Sequence, residues 1–322
     1  MTIAAPKAFG VARTEKKNNA MVADRRYKER MFRGTFTALV TPFHNGDIDF
    51  ASLEKLIEAQ IAAGITGLVA VGTTAESPTL THDEKHGVIE RTIKIAKGRC
   101  KVIAGTGTNS TRDTIEATKF AEKAGADGAL LVAPYYNKPS QEGLFRHFKA
   151  IADATRLPAM LYNIPGRCGV DIGPDTVFRL AESCPNIVSI KEASGSVDRV
   201  AELRRRLPEK FTILSGDDGL TLPFMSVGAV GVVSVASNLF PTELCSLVRA
   251  CESADFKSAE NLHRKMGAIF KDLFIEPNPV PVKTALAWRG SISFEVRLPL
   301  CEMTEANQVR LRKTLEAFEK SK

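Results

Sequence analysis

The feature that most constrains this chain is a repeated alternation of short apolar runs with amphipathic stretches. From Gly34 onward eight runs occur, at residues 35–42, 67–71, 101–105, 128–133, 158–164, 187–191, 211–214 and 229–236. Each is continuous, as expected of strands covered on both faces. The intervening stretches 52–63, 83–97, 111–124 and 141–154 carry apolar residues at helical spacing, such as Leu53, Leu56, Ile57 and Ile61. Thr81-His82-Asp83-Glu84 reads as a capping box and Pro174 as a first helical residue. Gly64, Gly125 and Gly228 each stand between a helix pattern and the next apolar run, where a left-handed C-cap is needed. Ala63-Gly64-Ile65-Thr66-Gly67 and Ala124-Gly125-Ala126-Asp127-Gly128 look like copies of one joint.

Eight βα units in residues 34–252 predict an α/β fold, a (β/α)8 TIM barrel, a fold that uses about 250 residues as one domain. No G-x-G-x-x-G opens the first helix, which argues against a dinucleotide-binding sheet. Beyond residue 252 strand patterns stop, and helices are predicted at 254–275, 280–288 and 304–320, broken by Glu276-Pro277-Asn278-Pro279. The expected division is a disordered basic extension (1–30), a catalytic barrel (31–252) and a C-terminal helical domain (253–322).

The net charge of +7 invites a polyanionic partner, but the charge is localised. Residues 1–30 hold eight basic and three acidic side chains, which leaves only +2 for the other 292 residues. No nucleic-acid partner is therefore expected. No apolar run approaches the ~18 residues of a membrane span, and residues 1–30 lack the apolar core of a secretory signal. A cytoplasmic protein is expected, with its six cysteines as reduced thiols. His82 and His86 have the spacing of a metal pair, but no third ligand is near in sequence, so no metal is expected.

Barrel enzymes carry their chemistry at the C-terminal strand ends. Here those ends read Gly72-Thr73-Thr74-Ala75-Glu76-Ser77, Pro134-Tyr135-Tyr136-Asn137, Tyr162-Asn163-Ile164-Pro165-Gly166-Arg167 and Ile190-Lys191-Glu192. Three of the chain's four tyrosines fall in this set. Alternation along 187–191 puts Ile187, Ser189 and Lys191 on one face. A lysine aimed into a barrel mouth is desolvated, its pKa falls, and it becomes a nucleophile for a ketone. The plainer reading pairs Lys191 with Glu192. Tyr162 suits the proton shuttle that a carbinolamine needs, with Thr73, Thr74 and Tyr136 supplying further hydroxyls. Thr74 or Ser77 equally suits a helix cap, and Tyr136 a surface. Arg167 follows a Pro-Gly turn, where it suits either a substrate carboxylate or solvent.

These motifs, with Lys138-Pro139-Ser140-Gln141-Glu142-Gly143-Leu144 after the fourth strand, resemble those of the dihydrodipicolinate synthase/N-acetylneuraminate lyase family, its synthase branch above all. The resemblance runs from about Phe32 to the last helix. It implies a Schiff-base, class I aldolase-type condensation of pyruvate with L-aspartate 4-semialdehyde to 4-hydroxy-tetrahydrodipicolinate, in diaminopimelate and lysine biosynthesis. It implies Lys191 as imine former, with no separate cofactor. Thr74, Tyr162 and Tyr136 match the family's relay, with Tyr136 reaching into a neighbour's site. Thr73 and Val233 match pyruvate contacts, and Arg167 the semialdehyde-carboxylate contact. A homotetramer built from tight dimers is implied. Ser77, His82, Lys85, Asn109, Asp113 and Tyr135 match a regulatory lysine site, but Lys85 and Asp113 depart from the usual histidine and glutamate. A cation at 85 opposes a cationic effector, so feedback by L-lysine is expected to be weak or absent. Two further departures are Ala75 for a common glycine and Cys168 for a hydroxyl residue, the latter raising a reactive thiol.

Overall fold

Strands shielded on both faces are built mainly from apolar residues, and each predicted run overlaps one. The computed structural model describes residues 32–321. The barrel strands are β1 (Gly34–Ala38), β2 (Gly67–Ala70), β3 (Lys101–Gly105), β4 (Gly128–Val132), β5 (Ala159–Asn163), β6 (Ile187–Glu192), β7 (Thr212–Ser215) and β8 (Gly231–Ser234). They form a closed barrel in which each strand lies parallel to its neighbours in sequence, and β1 closes onto β8. Helices α1 (Phe50–Ala62), α2 (His82–Ala96), α3 (Thr111–Ala124), α4 (Gln141–Asp153), α5 (Pro174–Ser183), α6 (Val197–Arg206), α7 (Thr221–Ser226) and α8 (Pro241–Glu252) alternate with the strands.

Local chemistry sets the helix limits. Thr81 and Glu84 form the predicted capping box of α2, and Ser110 and Ser140 cap α3 and α4. Gly125 ends α3 in the left-handed conformation at φ 90°. Two apolar runs outlast their strands by three residues or more. The run at 35–42 leaves the barrel after Ala38 and leads into a small antiparallel ribbon, Phe43–His44 with Asp47–Ile48. Asn45-Gly46 turns that ribbon, with φ of 54° and 88°, a hairpin signal that lies open in the sequence. The run at 229–236 yields only Gly231–Ser234.

After α8 come α9 (Phe256–Asp272), α10 (Val280–Trp288) and α11 (Glu305–Lys320). α9 packs on α8 and α11. Residues 33–321 form one compact unit. The predicted basic extension, residues 1–30, lies outside the described residues. Among the described residues no helix is long and apolar enough to cross a membrane.

Candidate active site

β6 ends in Lys191-Glu192, and strand geometry sends these two side chains in opposite directions. Glu192 is fully buried and accepts from Arg199 Nε at 2.8 Å and from Asn163 Nδ2 at 3.0 Å. Its charge is thus spoken for by α6, and the plain reading in which it neutralises Lys191 fails. Lys191 is in register with Tyr162 of β5, and its Nζ stands 4.1 Å from the centre of the tyrosine ring. Burial lowers the Lys191 pKa from 10.5 to about 7; the Asp218 carboxylate opposes the shift and the Arg167 cation adds to it. A Cβ at Gly216, just past β7, would lie 3.0 Å from Lys191 Cε, so only glycine leaves the lysine its place.

Tyr162 is buried, and burial raises its phenol pKa; Arg167 and a hydrogen bond with the Thr73 side chain act the other way. The relay expected from sequence ran through Thr74. The hydroxyl that reaches Tyr162 is that of Thr73, whereas Thr74 Oγ1 accepts from Asn278 Nδ2 at 2.9 Å. Both threonines sit in the one-turn 3-10 segment Thr73–Ala75 beyond β2. The residues of this loop with positive φ are Val71 (59°) and Glu76 (58°), not Ala75, so an alanine at 75 carries no backbone strain. The Glu76 carboxylate is buried and accepts from Lys283 Nζ of α10 at 2.6 Å and from the Arg297 backbone N–H at 2.9 Å.

Arg167 belongs to a single helical turn, Pro165–Cys168, and its side chain is exposed at the barrel mouth. It borders a cavity of about 420 Å³ whose wall also includes Thr73. Ser77, His82, Lys85, Asn109, Asp113 and Tyr135 line the same cavity, so the expected regulatory set is brought together. Burial lowers the Lys85 pKa and the Asp113 charge opposes it. Val233 is buried within β8, in register with Phe36. Tyr136 is 89% exposed and has positive φ, 72°. Cys168 is buried and its thiol is pushed up to about 11, the opposite of a reactive thiol. His86 stacks on Phe120, and among the described residues no cluster of three His, Cys, Asp or Glu could hold a metal ion.

Two neighbours escaped the sequence reading. Asp218 is buried, accepts from the backbone N–H groups of Val235 and Ala236 at 3.0 and 2.9 Å, and has its pKa raised by burial to about 6. Its position in Gly216-Asp217-Asp218 at the end of β7 was the available signal. Asn278 lies in the break before α10, and nothing local in sequence ties it to Thr74, 204 residues away.

Fold and site define a class, the (β/α)8-barrel lyases with a lysine at the strand ends. The chain matches the dihydrodipicolinate synthetase family over residues 31–318, and it belongs to that family. The 4-hydroxy-tetrahydrodipicolinate synthase of Endomicrobium trichonymphae is 49% identical over 288 residues, 89% of this chain and 99% of that one. The solved structure of the synthase from the thermoacidophilic methanotroph Methylacidiphilum fumariolicum SolV superposes with a TM-score of 0.89 at 57% identity, covering 90% of this chain and 97% of that one. A chloride-inhibited dihydrodipicolinate synthase from Acinetobacter baumannii, complexed with pyruvate, superposes with a TM-score of 0.88 at 46% identity, covering 90% and 99%. The chain is an enzyme with 4-hydroxy-tetrahydrodipicolinate synthase activity, which serves lysine and diaminopimelate biosynthesis.

Proposed function

We propose that catalysis runs through an imine between Lys191 and pyruvate. The neutral amine adds to the ketone carbon, giving a carbinolamine. Tyr162 passes the amine's proton to the departing hydroxyl, and water leaves. The imine then acts as electron sink: a methyl proton is lost, an enamine forms, and its carbon attacks the aldehyde of L-aspartate 4-semialdehyde. The amino group of the second substrate closes on the imine carbon and expels Lys191 as the free amine. One water is released overall, and no metal or organic cofactor takes part.

Thr73, bonded to Tyr162, takes the next place in the proton relay, which leaves the pyruvate carboxylate to Thr74, with Val233 behind it. Tyr136 is exposed and extends the relay only from a neighbouring copy, within a homotetramer of tight dimers. Arg167 at the mouth receives the semialdehyde carboxylate, and its cation also helps keep Lys191 unprotonated. The cavity around Lys85 is the regulatory site, and the Lys85 ammonium weakens binding of a cationic effector there. The enzyme works in the cytoplasm.

The observation that carries this reading is a buried lysine of pKa about 7 packed against a buried tyrosine. Borohydride reduction in the presence of pyruvate, followed by peptide mass spectrometry, tests it. The expected product is a single pyruvate-derived adduct on Lys191. An adduct on another residue, or none, would overturn the mechanism.

A further inference from the structure

Asn278 comes from the segment ahead of α10, outside the eight βα units, yet its side chain enters the loop that carries Thr73 and Thr74. Its Nδ2 donates to Thr74 Oγ1 at 2.9 Å, and both residues are buried. A threonine hydroxyl has one proton to donate. Because Thr74 accepts from Asn278, its lone pair on that side is used and its own proton is directed away. No protein acceptor receives that proton among the described residues. A buried hydroxyl with its donor unspent is costly unless an acceptor arrives. A carboxylate is an acceptor only, and it is the group that pyruvate brings.

The amide is not a simple structural tie. Its Oδ1 is buried and has no hydrogen-bond partner, whereas structural asparagines usually satisfy both ends. The loop's frame is fixed separately, by the buried Glu76–Lys283 ion pair at 2.6 Å and by the Arg297 N–H on Glu76. These contacts hold the chain, and Asn278 is left to set one hydroxyl.

We infer that Asn278 is a positioning residue, which points the Thr74 hydroxyl proton at the carboxylate of the keto-acid substrate. The C-terminal segment thereby takes part in substrate selection. This rests on Thr74 as the carboxylate contact.

The test is a mutant cycle read as KM for pyruvate, KM for the semialdehyde, and kcat. Asn278→Ala is expected to raise KM for pyruvate about tenfold, the scale of one hydrogen bond to a charged group, with little change in the other KM. In a Thr74→Val background the same change is expected to add nothing, whereas in Thr74→Ser it keeps its full effect. Asn278→Asp keeps the shape but, when ionised, accepts the Thr74 proton. Its KM defect is therefore larger at neutral pH and smaller in acid, where the carboxyl can donate. An unchanged KM for pyruvate in Asn278→Ala, or effects that add in full with Thr74→Val, overturn the inference. If Asn278→Ala fails to fold, the pH dependence of the near-isosteric Asn278→Asp decides, and a flat profile overturns it. Borohydride labelling of the wild type reads the imine alone, so a missing Lys191 adduct refutes the mechanism without being mistaken for failure of this positioning role.

Discussion

Burial of Lys191 should make the fold less stable, and replacing it with methionine should recover that stability. The Lys191 amine moves from a pKa of 10.5 to about 7 on burial. At pH 7 the unfolded chain holds this proton almost fully, and the folded chain about half the time. At 1.36 kcal/mol per pKa unit, the folded state therefore gives up about 4 kcal/mol at pH 7. Methionine has a similar volume and no charge, so Lys191→Met removes that cost. Asp218 then loses its cation, and its pKa, already about 6, moves further up. That offsets about 1 kcal/mol, leaving a gain of about 3 kcal/mol. With about 2.1 cal/mol/K per residue of unfolding entropy, this is a rise in Tm of roughly 5 °C. The sign reverses no part of the window: between pH 7 and 10.5 the unfolded chain binds more protons, so wild-type stability climbs with pH and the mutant's advantage shrinks. Urea unfolding of both proteins at pH 7 and at alkaline pH measures this, with activity abolished throughout. A mutant no more stable at pH 7, or an advantage independent of pH, would refute the reasoning.

Three further outcomes follow from the same geometry. Lys283→Met strands the Glu76 carboxylate in the interior and should cost about 3–5 kcal/mol in urea unfolding, most of it regained when Glu76→Met is added; a double variant as unstable as the single one would contradict this. L-Lysine should leave the initial rate nearly unchanged, and Lys85→His should introduce inhibition; a submillimolar inhibition constant for the wild type would count against the charge argument. Alkylation at mildly alkaline pH should modify exposed Cys301 well before Cys168, whose thiol lies at about 11; peptide mass spectrometry showing Cys168 labelled first would contradict its burial.

How far the sequence could be read depended on the range of each contact. Strand runs and caps are local, so the eight units, the capping box at Thr81 and the glycine joint at Gly125 were legible. Lys191 was legible for the same reason, since alternation along one strand sets its direction. Even so, setting aside Glu192 as its partner needed Arg199, seven residues on and one element away. The two threonines were legible as a pair but not in order. They lie in a 3-10 turn beyond β2, where no period fixes which hydroxyl faces Tyr162. What orders them is distant: Asn278 and Lys283 come from beyond the barrel, 204 and 207 residues from their partners. This has a physical consequence for the fold itself. A barrel alone leaves the loop after β2 with a left-handed Glu76 and an unpaired buried carboxylate, a state costing several kcal/mol. The C-terminal segment supplies the missing cation and the missing amide together. The residues that make the loop stable are therefore the neighbours of those that set its chemistry, and removing the C-terminal helices should disable the site before it unravels the barrel.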